Sequence, residues 1–432
     1  MVQYDMIQIR EVTAMKKCFY PADIMLPDFN KVEGTRWSVI ACDQHTSEPE
    51  YWAEAKKISD GSPTTLELIL PEVYLAETEK RVPAINETMK SYIKNVLVEH
   101  KGAMIYVERT QSDGEIRRGL VGMIDLEDYD YHKGATSLVR ATEGTVLERI
   151  PPRVAVRRDA AIELPHVMVL IDDPHKTVIE PEIKACANYE KAYDFELMLG
   201  GGHIKGWFVN SEGQKRIDGA LCALSSPEAM KEKYGGDYAP LPFAVGDGNH
   251  SLASAKAAYE EVKAQLGDKA LDHPARYALA EIVNLHDDAL KFEPIYRVMF
   301  GVSPASVLAA LNEYAENLDG AEKPQRVEYI HAGGEGSLVF KRPTQQLTVG
   351  TLQNFIDDYV SAHPEASVDY IHDVDATETL AKQANAIGFI FDGMGKDQLF
   401  KTVICDGALP RKTFSMGHSA DKRYYLECRK IK

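Results

Sequence analysis

The chain has 432 residues, two to three times an ordinary domain, which predicts at least two hydrophobic cores. A hydrophobic share of 44% with 27% charged residues argues against disorder over most of its length. With 49 basic and 66 acidic side chains the net charge is −17, which disfavours general binding to nucleic-acid phosphates or anionic lipid and makes any local cluster of cations informative.

The opening MVQYDMIQIREV lacks the basic head and apolar core of a secretory signal. Apolar runs such as Val167 to Ile171 fall far short of the roughly 20 residues that span a bilayer. Six scattered cysteines without a C-x-x-C pair read as reduced thiols. The expectation is a cytoplasmic protein with no membrane and no nucleic-acid partner.

In chain order, the pattern predicts helices over 50–58 and 85–99 and strands over 102–108, 119–126 and 166–171. A helix over 183–199 is closed by Gly200, Gly201 and Gly202; a strand follows over 204–209, then helices over 251–266 and 303–318. Ser47 and Glu50 have capping-box spacing, and Ser303-Pro304 supplies an N-cap with proline in the first turn. From 303 onward the order is helix, two strands, helix, strand, helix, strand, helix, strand, a small α+β unit. The expected fold is α+β, with mixed sheets and flanking helices, divided into a main domain over 1–300 and a C-terminal domain over 301–432 whose last motif returns to the site.

The sharpest local feature is apolar 241–245 followed by Gly246, Asp247, Gly248, Asn249, His250 and Ser251, then an amphipathic helix with Leu252, Ala255, Tyr259, Val262 and Leu266 on one stripe. A glycine turn between strand and helix gathers free backbone N–H groups at the positive end of the helix dipole, where phosphate or carboxylate binds. Asp247 and His250 would flank it for proton transfer. The plainer alternative is an ordinary turn with Asp247 or Asn249 as N-cap.

A second feature is an arginine island: Arg140, Thr142, Glu143, Arg149, Arg153, Arg157 and Arg158. Guanidinium forks suit phosphate oxygens, although pairing with the surplus acids is the alternative for Arg157 and Arg158. Glu143 is either a general base or the ion-pair partner of Arg140. A third lies at 41–52, where capping accounts for Ser47 and Glu50 and leaves Asp43, Gln44 and His45 as candidates. The C-terminal island holds Arg411, Lys412, Lys422 and Arg423, and a weaker group includes His286 and Arg297. No H-E-x-x-H, phosphate-binding G-x-x-x-x-G-K-[ST] or G-x-S-x-G motif occurs.

Taken together, CDQHTSEPEYW at 42–52, LILPEVYL at 68–75, RATEGTVLERIPPR at 140–153, LPHVMVLIDDP at 164–174, GDGNHSLASAK at 246–256, NLHDDALKFEPIYR at 284–297 and LPRKTF at 409–414 resemble the family named domain of unknown function 1015. The resemblance runs nearly end to end. More distantly, Asp247, Gly248 and His250 look like the D-G-H-H-R helix start of the ParB and sulfiredoxin superfamily, which includes free-serine kinases. Here Ser251 stands where that pattern has arginine.

That likeness implies a ParB/sulfiredoxin-like core and a phosphate site lined by Asp247 and His250. It also implies phosphoryl transfer, of kinase or phosphatase type, with serine or phosphoserine as leading substrate. Phosphate would dock at 246–251, Arg140 and Arg153 would neutralise charge, and Glu143 or Asp43 would take the hydroxyl proton. Gln44, His45, Arg149, Arg297, Arg411 and Lys412 are further binding candidates. Mg²⁺ is expected if ADP or ATP is used. The rival class is a non-catalytic regulator that binds an anionic metabolite.

Overall fold

The computed structural model of the chain describes residue 17 and residues 19–144, 150–417 and 419–432. Among them, α+β architecture is built on a ten-stranded mixed sheet. Its order is Glu190–Glu196, His203–Phe208, Ile105–Thr110, Ile116–Asp125, Tyr277–Asn284, Met168–Ile171, Phe243–Asp247, Val139–Ala141 and Tyr129–Asp130, with Phe19–Tyr20 added beside Ile116–Asp125. Met168–Ile171 runs parallel to Tyr277–Asn284 and antiparallel to Phe243–Asp247, which is parallel to Val139–Ala141. All four residues of Met168–Ile171 are buried, as expected of a strand covered on both faces.

A five-stranded antiparallel sheet follows the order Gly334–Phe340, Gln325–His331, Ala386–Ile390, Tyr296–Phe300 and Ser367–Ile371. Helices Pro304–Asn317, Thr348–Ala362, Val374–Ala381 and Lys396–Asp406 accompany it. Its core includes Met299, Val327 and Phe389 and runs on into Met168, Leu170 and Ala244 of the large sheet, so the two sheets share one apolar cluster. Tyr296–Phe300 belongs to this sheet although it precedes residue 301. The last expected strand, Phe414–Met416, instead pairs with Phe292–Pro294.

The C-terminal residues turn back to the N-terminal part. Tyr424–Tyr425 pairs with Val39–Ile40, and Cys428–Lys430 lies between Ala22–Pro27 and Ile162–Glu163. Buried arginines hold this return. Arg109 donates to the carbonyl of Ala420 (3.0 Å) and Arg117 to that of Asp421 (2.9 Å), while the Ser112 amide donates to the Asp421 carboxylate (2.8 Å). The turn that carries Lys422 is therefore fixed by two strands of the large sheet.

The helix expected over 183–199 is corrected. Only Glu182–Ala185 is α-helical; Glu190–Glu196 is a strand in a hairpin with His203–Phe208. Tyr193 is buried and Phe195 packs beside it while Asp194 and Glu196 face out, a period of two that the mixed apolar spacing also permitted. The three glycines form the hairpin turn: Gly202 has φ 75°, and a Cβ there would lie 2.1 Å from the Thr110 carbonyl oxygen. The capping box at Ser47 is also absent. The helix Pro49–Ser59 takes Glu48 as N-cap without a side-chain bond, because Pro49 occupies the first turn, where no N–H is required. Ser303 is the N-cap residue of Pro304–Asn317, but its hydroxyl makes no cap bond.

Candidate functional site

Phe243, Ala244 and Val245 are buried, which fixes the strand and delivers the glycine turn to one place. Gly246 packs on Leu170, where a Cβ would lie 2.8 Å from the nearest side-chain atom. Gly248 is the N-cap of helix Asn249–Leu266, at φ 79°, with Val167 Cα 3.1 Å from where a Cβ would be. Neither Asp247 nor Asn249 is the cap. Asp247 Oδ1 accepts from the Gly248 amide (2.9 Å), and Asn249 accepts from the Thr142 amide (3.3 Å) while donating to Thr142 Oγ1 (3.3 Å). No side chain caps the helix. Of the expected stripe, Leu252, Ala255 and Tyr259 are buried and Val262 packs beside them, but Leu266 is exposed. Replacing Gly248 with alanine should cost about 1–3 kcal/mol, as a left-handed non-glycine residue does; urea denaturation checks this.

The helix start opens into a cavity of about 770 Å³. Asp43, Gln44, Glu143, Arg153, Gly246, Asp247, Gly248, Asn249, His250, Ser251 and Lys412, all sequence candidates, line it. His166, Lys422, His372 and Tyr425 share the wall. The volume is that of a small-molecule site.

His166 is buried and bonded on both sides, with Nδ1 2.8 Å from Tyr425 Oη and Nε2 3.4 Å from Asp43 Oδ2. Tyr425 Oη also bonds Cys42 Sγ (3.0 Å) and accepts from the Cys42 amide (3.3 Å). Burial opposes a charged imidazole, yet the Asp43 carboxylate outweighs it and holds His166 above its ordinary value. Asp43 is correspondingly depressed: burial would raise it, but His166, Gln44 and Lys422 prevail. Burial and neighbouring Asp43 push the Cys42 thiol up to about 12, so it stays protonated and is no nucleophile.

This pair makes a pH-dependent contribution. The raised His166 adds stability that is fully present below about pH 6.5 and lost as pH rises through its folded value. The depressed Asp43 adds stability present above about pH 4 and lost as pH falls through its own. Asp43→Asn should therefore destabilise most between about pH 4 and 6.5, by about 1–3 kcal/mol given that Asp43 is partly exposed, and by less once pH rises through the folded value of His166. Denaturation curves across pH read the difference.

Glu143 is different. Burial raises its carboxyl, Asp247 adds to the rise, and Lys412, Lys422 and Arg297 offset only part of it. Lys422 Nζ lies 3.2 Å from Asp247 Oδ2. The cavity thus joins a helix N-terminus, two lysines, a fixed Asp43–His166 pair and one carboxyl of raised proton affinity. Such a wall can hold an anion and accept a proton beside it.

Several candidates lie elsewhere. Arg140 is corrected: its guanidinium donates to the carbonyls of Ser137 (2.8 Å), Ala239 (3.1 Å) and Pro240 (3.0 Å), closing a loop outside the cavity, and Glu143 is not its partner. Thr142 is buried and donates to the Val245 carbonyl (2.6 Å). Arg297 is fully buried, bonded to Gln353 (2.6 Å) and to the Arg411 carbonyl (3.0 Å). Arg411 pairs with Asp357 (2.7 Å), and His45 stacks on Tyr51 with centroids 3.7 Å apart. None of these five lines the cavity. Arg153 does, but it pairs with Glu72, as Arg157 does with Glu163. Arg149 lies outside the described residues.

His166, Lys422 and Tyr425 were not singled out from sequence. A histidine opening an otherwise apolar strand was the available signal for the first; Lys422 was visible only as part of a basic run. Among the described residues no group of three or more His, Cys, Asp or Glu could hold a metal ion, so the expected Mg²⁺ has no protein ligand set among them. No described helix is long and apolar enough to cross a membrane.

Among the described residues, the chain is an α+β protein with a polar cavity of small-molecule size. The chain belongs to the family described as protein of unknown function (DUF1015), whose model matches residues 27–377. No curated protein matches it. Among solved structures it is similar to a conserved hypothetical protein from Pyrococcus furiosus (11% identity, 72% of this chain and 94% of that one, TM-score 0.34). It is also similar to a free serine kinase in complex with AMP (13%, 72% and 90%, TM-score 0.35). A third is SbnI with C-terminal truncation from Staphylococcus aureus (11%, 71% and 82%, TM-score 0.32).

Proposed function

We propose that this protein is a phosphoryl-transfer enzyme acting on a small hydroxylated or phosphorylated metabolite, with serine or phosphoserine the leading substrate and ATP or ADP the partner nucleotide. The observation that carries the reading is the meeting, in one cavity, of an uncapped helix start, Lys412 and Lys422, and a Glu143 carboxyl of raised proton affinity. Phosphate oxygens dock on the first-turn amides of Asn249 to Ser251. Lys422 and Lys412 take over the charge-neutralising role first expected of Arg140, stabilising oxygens that gain charge during transfer. Glu143 accepts the hydroxyl proton, since a base nearer neutrality is the better catalyst. Asp43, locked to His166, orients that wall rather than moving a proton.

The test is phosphorus NMR of purified protein with serine plus ATP or ADP, and with phosphoserine plus ADP, each with and without Mg²⁺. Transfer with turnover is expected, and Lys422→Met should lower kcat/KM by about 10²-fold or more. Saturable binding without turnover would identify a non-catalytic regulator instead, and absence of any binding would reject the site.

A further inference from the structure

Part of the cavity lining is apolar, and a phosphate and a small amino acid leave it unused. Leu68, Leu70, Met89, Val156 and Ile162 form it, and all five pack in or against the core that contains Trp37 and Trp52, so this wall is rigid. Helix Ile150–Arg158 turns one face to it, with Arg153, Val156 and Arg157 at three- and four-residue spacing. The two arginines bring no free charge. Arg157 is held by Glu163, which also takes Arg429 (2.7 Å) and the Leu279 amide (2.9 Å), and Arg153 is held by Glu72. A phosphate therefore gains more beside Lys412, Lys422 and the helix start, which line the same cavity.

Resting on the proposed reading of the polar lining, we infer that the apolar lining is the base subsite for a nucleoside phosphate, with the base packed against Leu70, Met89 and Val156. A planar heterocycle suits these walls in two respects. Its faces leave water when they pack on apolar side chains. Its polar edge meets the Glu72–Arg153 pair, whose side chains are 20% and 22% exposed, whereas an alkyl chain would leave that pair without use.

Calorimetric titration with ADP, adenosine and inorganic phosphate separates the claims. Wild type should bind ADP, adenosine should compete with ADP, and adenosine should not displace inorganic phosphate. Val156→Trp, which fills the space beside the apolar lining, should weaken ADP at least tenfold while phosphate affinity stays within twofold; Lys422→Met should weaken both. ADP affinity unchanged in Val156→Trp, or no competition by adenosine in wild type, overturns the base subsite and leaves the polar site standing. The adenosine measurement decides even if the tryptophan variant does not fold. Loss of all binding, inorganic phosphate included, in wild type overturns the polar site and this inference with it.

Discussion

Glu143→Gln should lower kcat by about 10²–10⁴-fold while leaving the KM for the phosphorylated ligand within a few-fold, the signature of a lost general base. The amide keeps the size of the side chain and its backbone bridge to Leu409, so the fold has no reason to change. The pH profile supplies a readout that a structural role would not move. Burial raises the Glu143 carboxyl, so the acid limb of wild-type kcat/KM should lie above the ordinary glutamate range near about pH 4.3, and the glutamine variant should lose that limb. An unchanged acid limb in the variant would remove Glu143 from the chemistry.

The second large effect is on stability. Arg423 is buried and bonds Glu281 (2.8 Å), Glu427 (2.6 Å) and the Pro165 carbonyl (2.8 Å). Arg423→Leu leaves two buried carboxylates short of a cation: Glu281 keeps Arg117, at 3.7 Å, and Glu427 keeps the Tyr193 hydroxyl at 2.7 Å. The expected loss is about 3–5 kcal/mol at neutral pH. The sign of its pH dependence follows from the carboxylates. Burial pushes the Glu281 carboxyl up while Arg117 and Arg423 hold it down; without Arg423 its folded value rises, so the loss is greatest at high pH and shrinks as acid protonates it. Urea denaturation at pH 8 and pH 5 measures both numbers. Because Lys422 is the preceding residue, the variant should also weaken anion binding where it still folds.

The strand, glycine turn and helix at 243–266 were legible because each step is local. A buried apolar run, a stretch that tolerates positive φ, and a three-four apolar spacing announce themselves within a few residues. The order of elements after 303 was legible for the same reason. Arg140 was not: its carbonyl partners Ala239 and Pro240 are about one hundred positions away, and nothing near a guanidinium in sequence says whether it meets a ligand or a loop. Lys422 presents the converse case. Its place in the cavity is set by Arg109 and Arg117 on two strands and Ser112 in the turn between them, all more than three hundred residues earlier. The segment 183–199 failed for a third reason, since Tyr189, Tyr193, Leu197 and Phe195 satisfy helical and extended spacing alike, and pairing with His203–Phe208 decided between them.

Crystals soaked in tungstate, a heavy phosphate mimic, test the central claim most directly through its anomalous signal. An anion should sit within hydrogen-bond reach of the amides of Asn249 to Ser251 and of Lys422 Nζ. Tungstate bound only at surface cations, with the mouth of that helix left to solvent at saturating concentration, would contradict the assignment.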